Sequence, residues 1–226
     1  MENEEIVPFN RPYLVGSEQD HIINAMHSTN LTGDNIYTKK CNALIENAID
    51  GGKVFLTPSG TASLELSALV SSFKPGDEII MPSYTFASTA NAFTLRGCIP
   101  VFVDVRADTM NLDETKIEAH ITKKTKAIVV VHYAGVACEM DEILVIAKKN
   151  NLILIEDAAQ AYLSTYKNKK VGTLSDFSCF SFHGTKNISC GEGGAFCVNN
   201  EHSIEYTEIL REKGTNRTKF LHGGVD

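Results

Sequence analysis

"KVFLTPSGTASLELSALVSSFKPGDEIIM" (residues 53–81) reads as a strand, a helix and a second strand. "KVFL" and "EIIM" are short apolar runs with no polar residue alternating through them, the pattern of strands buried on both faces. The segment between them sets Leu66, Leu69, Val70 and Phe73 on one face of a helix over 61–73. It stops where Pro75 and Gly76 cannot continue it. Strand, helix and strand in this order imply a right-handed crossover and a parallel sheet.

The same alternation runs on through "PVFVDV" (100–105), "AIVVVH" (127–132) and "LILIED" (152–157). Helical patterns separate these runs. One covers 88–97, with Gly97 placed as its C-terminal cap. Another follows Asp113, a candidate N-cap with further carboxylates in the first turn. A third covers 139–151 and ends in two lysines and two asparagines. After residue 170 two adjacent buried strands, "DFSCFSF" (176–182) and "GEGGAFCVN" (191–199), precede a last helix over 202–214. Residues 1–50 hold two weaker helical stretches, 17–28 and 36–48, and read as an N-terminal helical arm of the same domain as 51–226. The expected fold is α/β, a mostly parallel central sheet with helices on both faces.

The chain has 226 residues, 43% hydrophobic and 22% charged, enough for one large domain with its own core. A formal net charge of −7 argues against nucleic acid or anionic membrane as the main partner. No apolar run approaches the ~18 residues that span a bilayer. "MENEEIVPF" lacks the basic-then-apolar layout of a signal peptide, so a cytoplasmic location is expected. The six cysteines form no C-x-x-C pair, which suggests neither a metal site nor a redox motif. Reduced, mostly buried thiols are expected.

Open α/β sheets bind ligands beyond the carboxyl ends of their strands. After "KVFL", Gly60 and Thr61 open a helix whose free amides and dipole favour a phosphate. After "EIIM", "PSYTFAST" offers Tyr84 and Phe86. "LILIED" ends in Asp157, and a carboxylate at the end of a buried strand is costly unless something positive pairs with it. "SFHGTKN" (181–187) carries Lys186 on a turn between two buried strands, toward the same cleft. Each feature has a bland reading: a common strand–helix turn, core aromatics, a structural carboxylate, a solvated lysine. Pyridoxal phosphate answers all four at once. It needs a phosphate cradle, an aromatic against its ring, an acid at its ring nitrogen and a lysine for its aldehyde.

"TPSGTASLELSAL", "GDEIIMPSYTFASTANA", "PVFVDV", "VVVHYAG", "IEDAAQ" and "SFHGTKN…GEGGA", in this order, resemble the DegT/DnrJ/EryC1 sugar aminotransferases, which have the type I pyridoxal-phosphate fold. The resemblance runs from about residue 7 to the end. It implies that Lys186 anchors the cofactor and moves the proton of transamination. Asp157 would pair with the ring nitrogen, Gln160 would lie near the cofactor's phenolic oxygen, and Phe86 would stack on the ring. Gly60, Thr61 and Ser181 would hold the phosphate. His132, Tyr133 and His183 are candidates for the sugar pocket, and Glu156 for structural contacts. "FVDVRADTMNLDETKIEAHIT" and "REKGTNRTKF" are most like members that move the amino group of L-glutamate to C4 of a dTDP-linked 4-keto-6-deoxy sugar, for cell-surface polysaccharide. Family members continue past the position of Asp226, completing the large domain and adding a small C-terminal one. The resemblance thus implies an incomplete chain, a homodimer when full length, and poor catalysis by these 226 residues alone. Two other readings stand beside it. One is a non-catalytic fragment. The other is a pyridoxal-phosphate sugar dehydratase, which Lys186 disfavours because such relatives carry histidine there.

Overall fold

The computed structural model describes residues 7–216 apart from Phe9, Pro12 and Thr29. The ends of the chain read above, most of "MENEEIVPF", the last four residues of "REKGTNRTKF" and "HGGVD", lie outside the described residues. In chain order the elements are α1 (Glu18–His27), α2 (Ile36–Ile49), β1 (Lys53–Thr57), α3 (Gly60–Val70), β2 (Glu78–Pro82) and α4 (Ala87–Thr94). There follow β3 (Ile99–Val103), α5 (Glu114–Ile117), β4 (Thr125–Val131), α6 (Met140–Lys149) and β5 (Ile153–Asp157). The last are β6 (Thr165–Tyr166), β7 (Lys169–Lys170), β8 (Phe177–Ser181), β9 (Gly194–Val198) and α7 (Ile204–Arg211).

Seven strands form one sheet in the order β1-β9-β8-β5-β4-β2-β3. Only β9 runs against the others. It pairs antiparallel with both β1 and β8, while β8-β5, β5-β4, β4-β2 and β2-β3 pair in parallel. Successive residues of the inner strands enter opposite cores. Ile80, Val130 and Leu154 pack with Ile45 and Ile49 of α2 and Met140 and Ile143 of α6. Ile79, Val129 and Ile155 pack with Leu64, Leu66 and Ala68 of α3 and Phe93 of α4. Both faces of these strands are therefore apolar, which is why they read as unbroken runs.

Several boundaries differ from the sequence reading. β3 is an edge strand, with Ile99 and Phe102 half exposed rather than buried on both faces. In α3, Leu66 and Val70 are buried as expected, but so are Leu64, Ser67 and Ala68, because the helix lies between the sheet and α4 and α7. Asp113 caps α5 by accepting from the Thr115 amide, yet that helix is a single turn continued as a 3-10 turn over 118–120. Leu95, not Gly97, is the C-cap of α4, and Gly97 takes φ +77° two residues on. The β6–β7 hairpin carries no apolar alternation in "TYKNKK" and left no signal in the sequence. Its turn residues Lys167 and Asn168 both have positive φ, the geometry that matches strand twist. In the arm, α2 docks on the sheet through Ile45 and Ile49, whereas α1 buries no side chain. All six cysteines are unbonded thiols and four of them are buried. Among the described residues no helix is long and apolar enough to cross a membrane.

Candidate active site

A cleft of about 710 Å3 opens at the carboxyl ends of the central strands. One end is built by the start of α3. Ser59 is its N-cap and accepts from the Ala62 amide at 3.1 Å, leaving Gly60 and Thr61 to face the cleft. Thr61 Oγ1 lies 2.7 Å from Ser88 Oγ of α4. The turn is pressed from two sides. A Cβ on Gly60 would stand 2.8 Å from Ser181 Cβ, and one on Gly194 would stand 2.4 Å from the Ser59 carbonyl. Glycine at both positions lets β8 and β9 approach this backbone closely. Ser181 itself, 8% exposed, ends β8 against the same turn. Amides, hydroxyls and the positive end of an eleven-residue helix thus meet where an anion fits.

Asp157 ends β5 in the middle of the cleft and is only 4% exposed. Its Oδ2 accepts from Thr89 Oγ1 at 2.7 Å and its Oδ1 from the Ala159 amide at 3.2 Å. Thr89 has one proton and gives it to the carboxylate, so the Thr85 hydroxyl, 2.7 Å away, donates to Thr89 in turn. Burial pushes the Asp157 carboxyl above its ordinary pKa, against the pull of these donors and of the Lys186 ammonium. Among the described residues no cation forms a salt bridge with Asp157, and the charges of Lys186 and His132 only partly offset its burial.

Lys186 stands half buried on the loop joining β8 to β9 and lines the cleft with Asp157. The loop is closed at its base by the Phe182 amide on the Gly193 carbonyl at 2.8 Å, and the Lys186 amide donates to the His183 carbonyl at 2.9 Å. His183 also lines the cleft, its Nδ1 2.9 Å from Thr185 Oγ1 and its Nε2 3.4 Å from Glu192. Phe86, the N-cap residue of α4, is 76% exposed and offers its ring to the cleft. Gln160 and Tyr133 line it too, and Gln160 Oε1 is committed to the Ala134 amide at 2.7 Å.

His132 is not among these residues. Expected in the sugar pocket, it is fully buried on the opposite face of the sheet. Successive residues at a strand end point opposite ways, so His132 shares the face of Glu156 rather than that of Val131 and Asp157. Its Nε2 donates to Glu156 Oε2 at 3.0 Å and its Nδ1 accepts from the Cys138 amide at 3.1 Å. Glu156 is structural, as expected. It accepts from the Gly172 and Leu174 amides and from Ser175 and Ser178 at 2.8–3.0 Å. Burial opposes its charge, but His132 and these donors outweigh it and hold the carboxylate below its usual range. Thr89 escaped the sequence reading. Its only signal there is a hydroxyl within a short helix whose other buried side chains are Ala92 and Phe93.

The start of a helix, a buried aspartate and a lysine thus share one cleft of an α/β protein. The chain belongs to the DegT/DnrJ/EryC1/StrS aminotransferase family, whose profile matches residues 14–224. It is similar to GDP-perosamine synthase of Caulobacter vibrioides, 38% identical over 203 residues, covering 90% of this chain and 55% of that protein. It superposes on an aminotransferase from Psychrobacter cryohalolentis with a TM-score of 0.89 at 29% identity, covering 97% of this chain and 56% of that one. Spr1654 of Streptococcus pneumoniae in its PLP form gives 0.83 at 30% identity, over 91% and 56% of the two chains. The chain spans about half the length of the curated relatives it matches.

Proposed function

We propose that this chain is the cofactor-binding part of a pyridoxal-phosphate aminotransferase that moves the amino group of L-glutamate to a nucleotide-linked keto sugar. The observation that carries the reading is Asp157, a carboxyl that burial drives toward neutrality in the cleft that also holds Lys186. A protonated ring nitrogen is the cation this site wants, and the family relationship points to the same ligand.

Gly60, Thr61 and Ser181 would hold the phosphate, Phe86 would cover one ring face, and Gln160 would lie at the ring's edge. Bound there, the cofactor supplies an electron-withdrawing ring that eases removal of the substrate's Cα proton. Asp157, steadied by Thr89 and the Ala159 amide, holds the proton at the ring nitrogen. Lys186 would be the amine that holds the cofactor's aldehyde, and the same amine would be placed to give and take a proton. Among the substrates, we favour C4 of a dTDP-linked 4-keto-6-deoxy sugar, giving dTDP-4-amino-4,6-dideoxygalactose for enterobacterial common antigen. Similarity to GDP-perosamine synthase supports a GDP-linked sugar as the second reading. The full-length protein is taken to be a cytoplasmic homodimer.

The test uses the full-length, cofactor-loaded protein. L-Glutamate alone is expected to yield one equivalent of 2-oxoglutarate per active site. A panel of dTDP- and GDP-linked 3-keto and 4-keto sugars then identifies the acceptor. Amination of 3-keto sugars alone would remove the C4 assignment, and no 2-oxoglutarate would remove the aminotransferase reading.

A further inference from the structure

Tyr84 and Tyr133 meet at the mouth of the cleft. Their hydroxyls are 3.2 Å apart, and their ring centroids 5.1 Å apart at 57°. Tyr84 follows β2 and Tyr133 follows β4, adjacent strands, so the sheet register itself brings the two phenols together. We propose that this hydroxyl pair is the subsite for the sugar of the nucleotide-linked substrate, with Tyr84 as a specificity residue alongside Tyr133; the proposal rests on the aminotransferase reading above.

The hydrogen-bond inventory fits a polyol. When one phenol donates to the other, the pair keeps one O–H donor and several acceptor lone pairs facing the cleft. That set can take a hydroxyl proton and give a proton to a keto or hydroxyl oxygen, while the tilted rings offer apolar faces to a 6-deoxy carbon. A phenol is an O–H donor at neutral pH, and the hydrogen bond with Tyr84 moves Tyr133 further from ionisation.

The pair is also built on a fixed base. The Tyr133 amide donates to Asn111 Oδ1 at 2.9 Å, and Asn111 Nδ2 donates to the Val136 carbonyl at 3.0 Å. Asn111 is 2% exposed. The next residue, Ala134, is held at φ +51°, a left-handed conformation unusual for a residue with a Cβ, by its amide bond to Gln160. Three side-chain contacts therefore hold a strained turn whose product is the placement of one tyrosine. Gln160, which also lines the cleft, ties this turn to the loop that follows Asp157.

The experiment is calorimetric titration of the full-length, cofactor-loaded protein with dTDP-linked 6-deoxyglucose and, separately, with dTDP. Tyr84→Phe, Tyr133→Phe and the double variant are compared with the parent, with melting temperatures checking the fold. Each single variant is expected to bind the sugar nucleotide roughly tenfold more weakly, the loss of about one hydrogen bond to substrate. The double variant should lose less than the product of the two, because the hydroxyls act as a unit. Affinity for dTDP should be unchanged in all three. Unchanged affinity for the sugar nucleotide, equal losses for dTDP, or a parent that binds dTDP but gains nothing from the sugar would each overturn the proposal. A protein that binds the sugar nucleotide through this pair yet makes no 2-oxoglutarate would sink the aminotransferase reading and leave the subsite standing.

Discussion

Asp157→Asn separates what the cofactor site costs the fold from what it gives the cofactor. Without ligand, burial raises the folded-state pKa of Asp157 above its unfolded value. Such a group favours the fold at low pH and loses that contribution as pH rises through the folded pKa. Asparagine escapes the penalty and finds partners ready. Its Oδ1 can accept from the Ala159 amide, and its Nδ2 can donate to Thr89 Oγ1, whose proton then turns to Thr85 2.7 Å away. Both present partners of Asp157 thus keep a hydrogen bond, and the buried charge is gone. The cofactor-free variant should therefore be more stable than the parent at pH 7 by about 1–2 kcal/mol, the usual gain on relaxing a functional site. In a domain of this size each kcal/mol moves Tm by roughly 2–4 °C, so the shift is about 2–8 °C. Cofactor reverses the order. At a hundredfold excess over Kd it adds about 2.7 kcal/mol to the parent, and much less to a variant with no charge for the ring nitrogen. Thermal melts at pH 7 and pH 5, with and without pyridoxal phosphate, read all of this, and the gap without cofactor should narrow at pH 5. A cofactor-free variant less stable than the parent, or equal stabilisation of both by cofactor, would refute the reasoning.

Glu156→Gln should cost about 3–5 kcal/mol, because both carboxylate oxygens accept hydrogen bonds and an amide NH2 at either place would face donors; a Tm within 2 °C of the parent's would contradict this. Since the Glu156 pKa is lowered from 4.5, its contribution is present above about pH 4.5 and fades as pH falls through the folded value, so acid unfolding of the parent should show a loss that the Gln variant lacks. Gly60→Ala forces a methyl against Ser181 and should weaken cofactor binding roughly tenfold, read as Kd by absorbance titration; an unchanged Kd would remove that turn from the phosphate cradle. Thr89→Val removes a charge-assisted donor to Asp157 and should weaken the cofactor roughly tenfold, with Thr89→Ser restoring most of it. Equal losses in Val and Ser variants would assign Thr89 to packing alone.

The sheet was legible because its inner strands are apolar on both faces, so "AIVVVH" and "LILIED" could be nothing else. The lysine and aspartate were legible because each follows such a strand. What stayed hidden depended on the face or on nonlocal contact. "AIVVVH" places His132 at a strand end, but only the register of β4 against β5 shows that it turns to Glu156 and away from the cleft. Phe102 looks like core but is half exposed, because among the described residues β3 is the edge strand of the sheet. The sequence offers Tyr84 but not its contact with Tyr133, nor that of Thr89 with Asp157, because these partners lie 49 and 68 residues away.

Borohydride reduction of the cofactor-loaded protein, followed by peptide mapping, tests the central claim most directly. The account predicts one stable pyridoxyl label per chain, on the peptide that contains Lys186, and its loss in Lys186→Ala. A label on Lys53, Lys74 or any other lysine, or none at all, would contradict it.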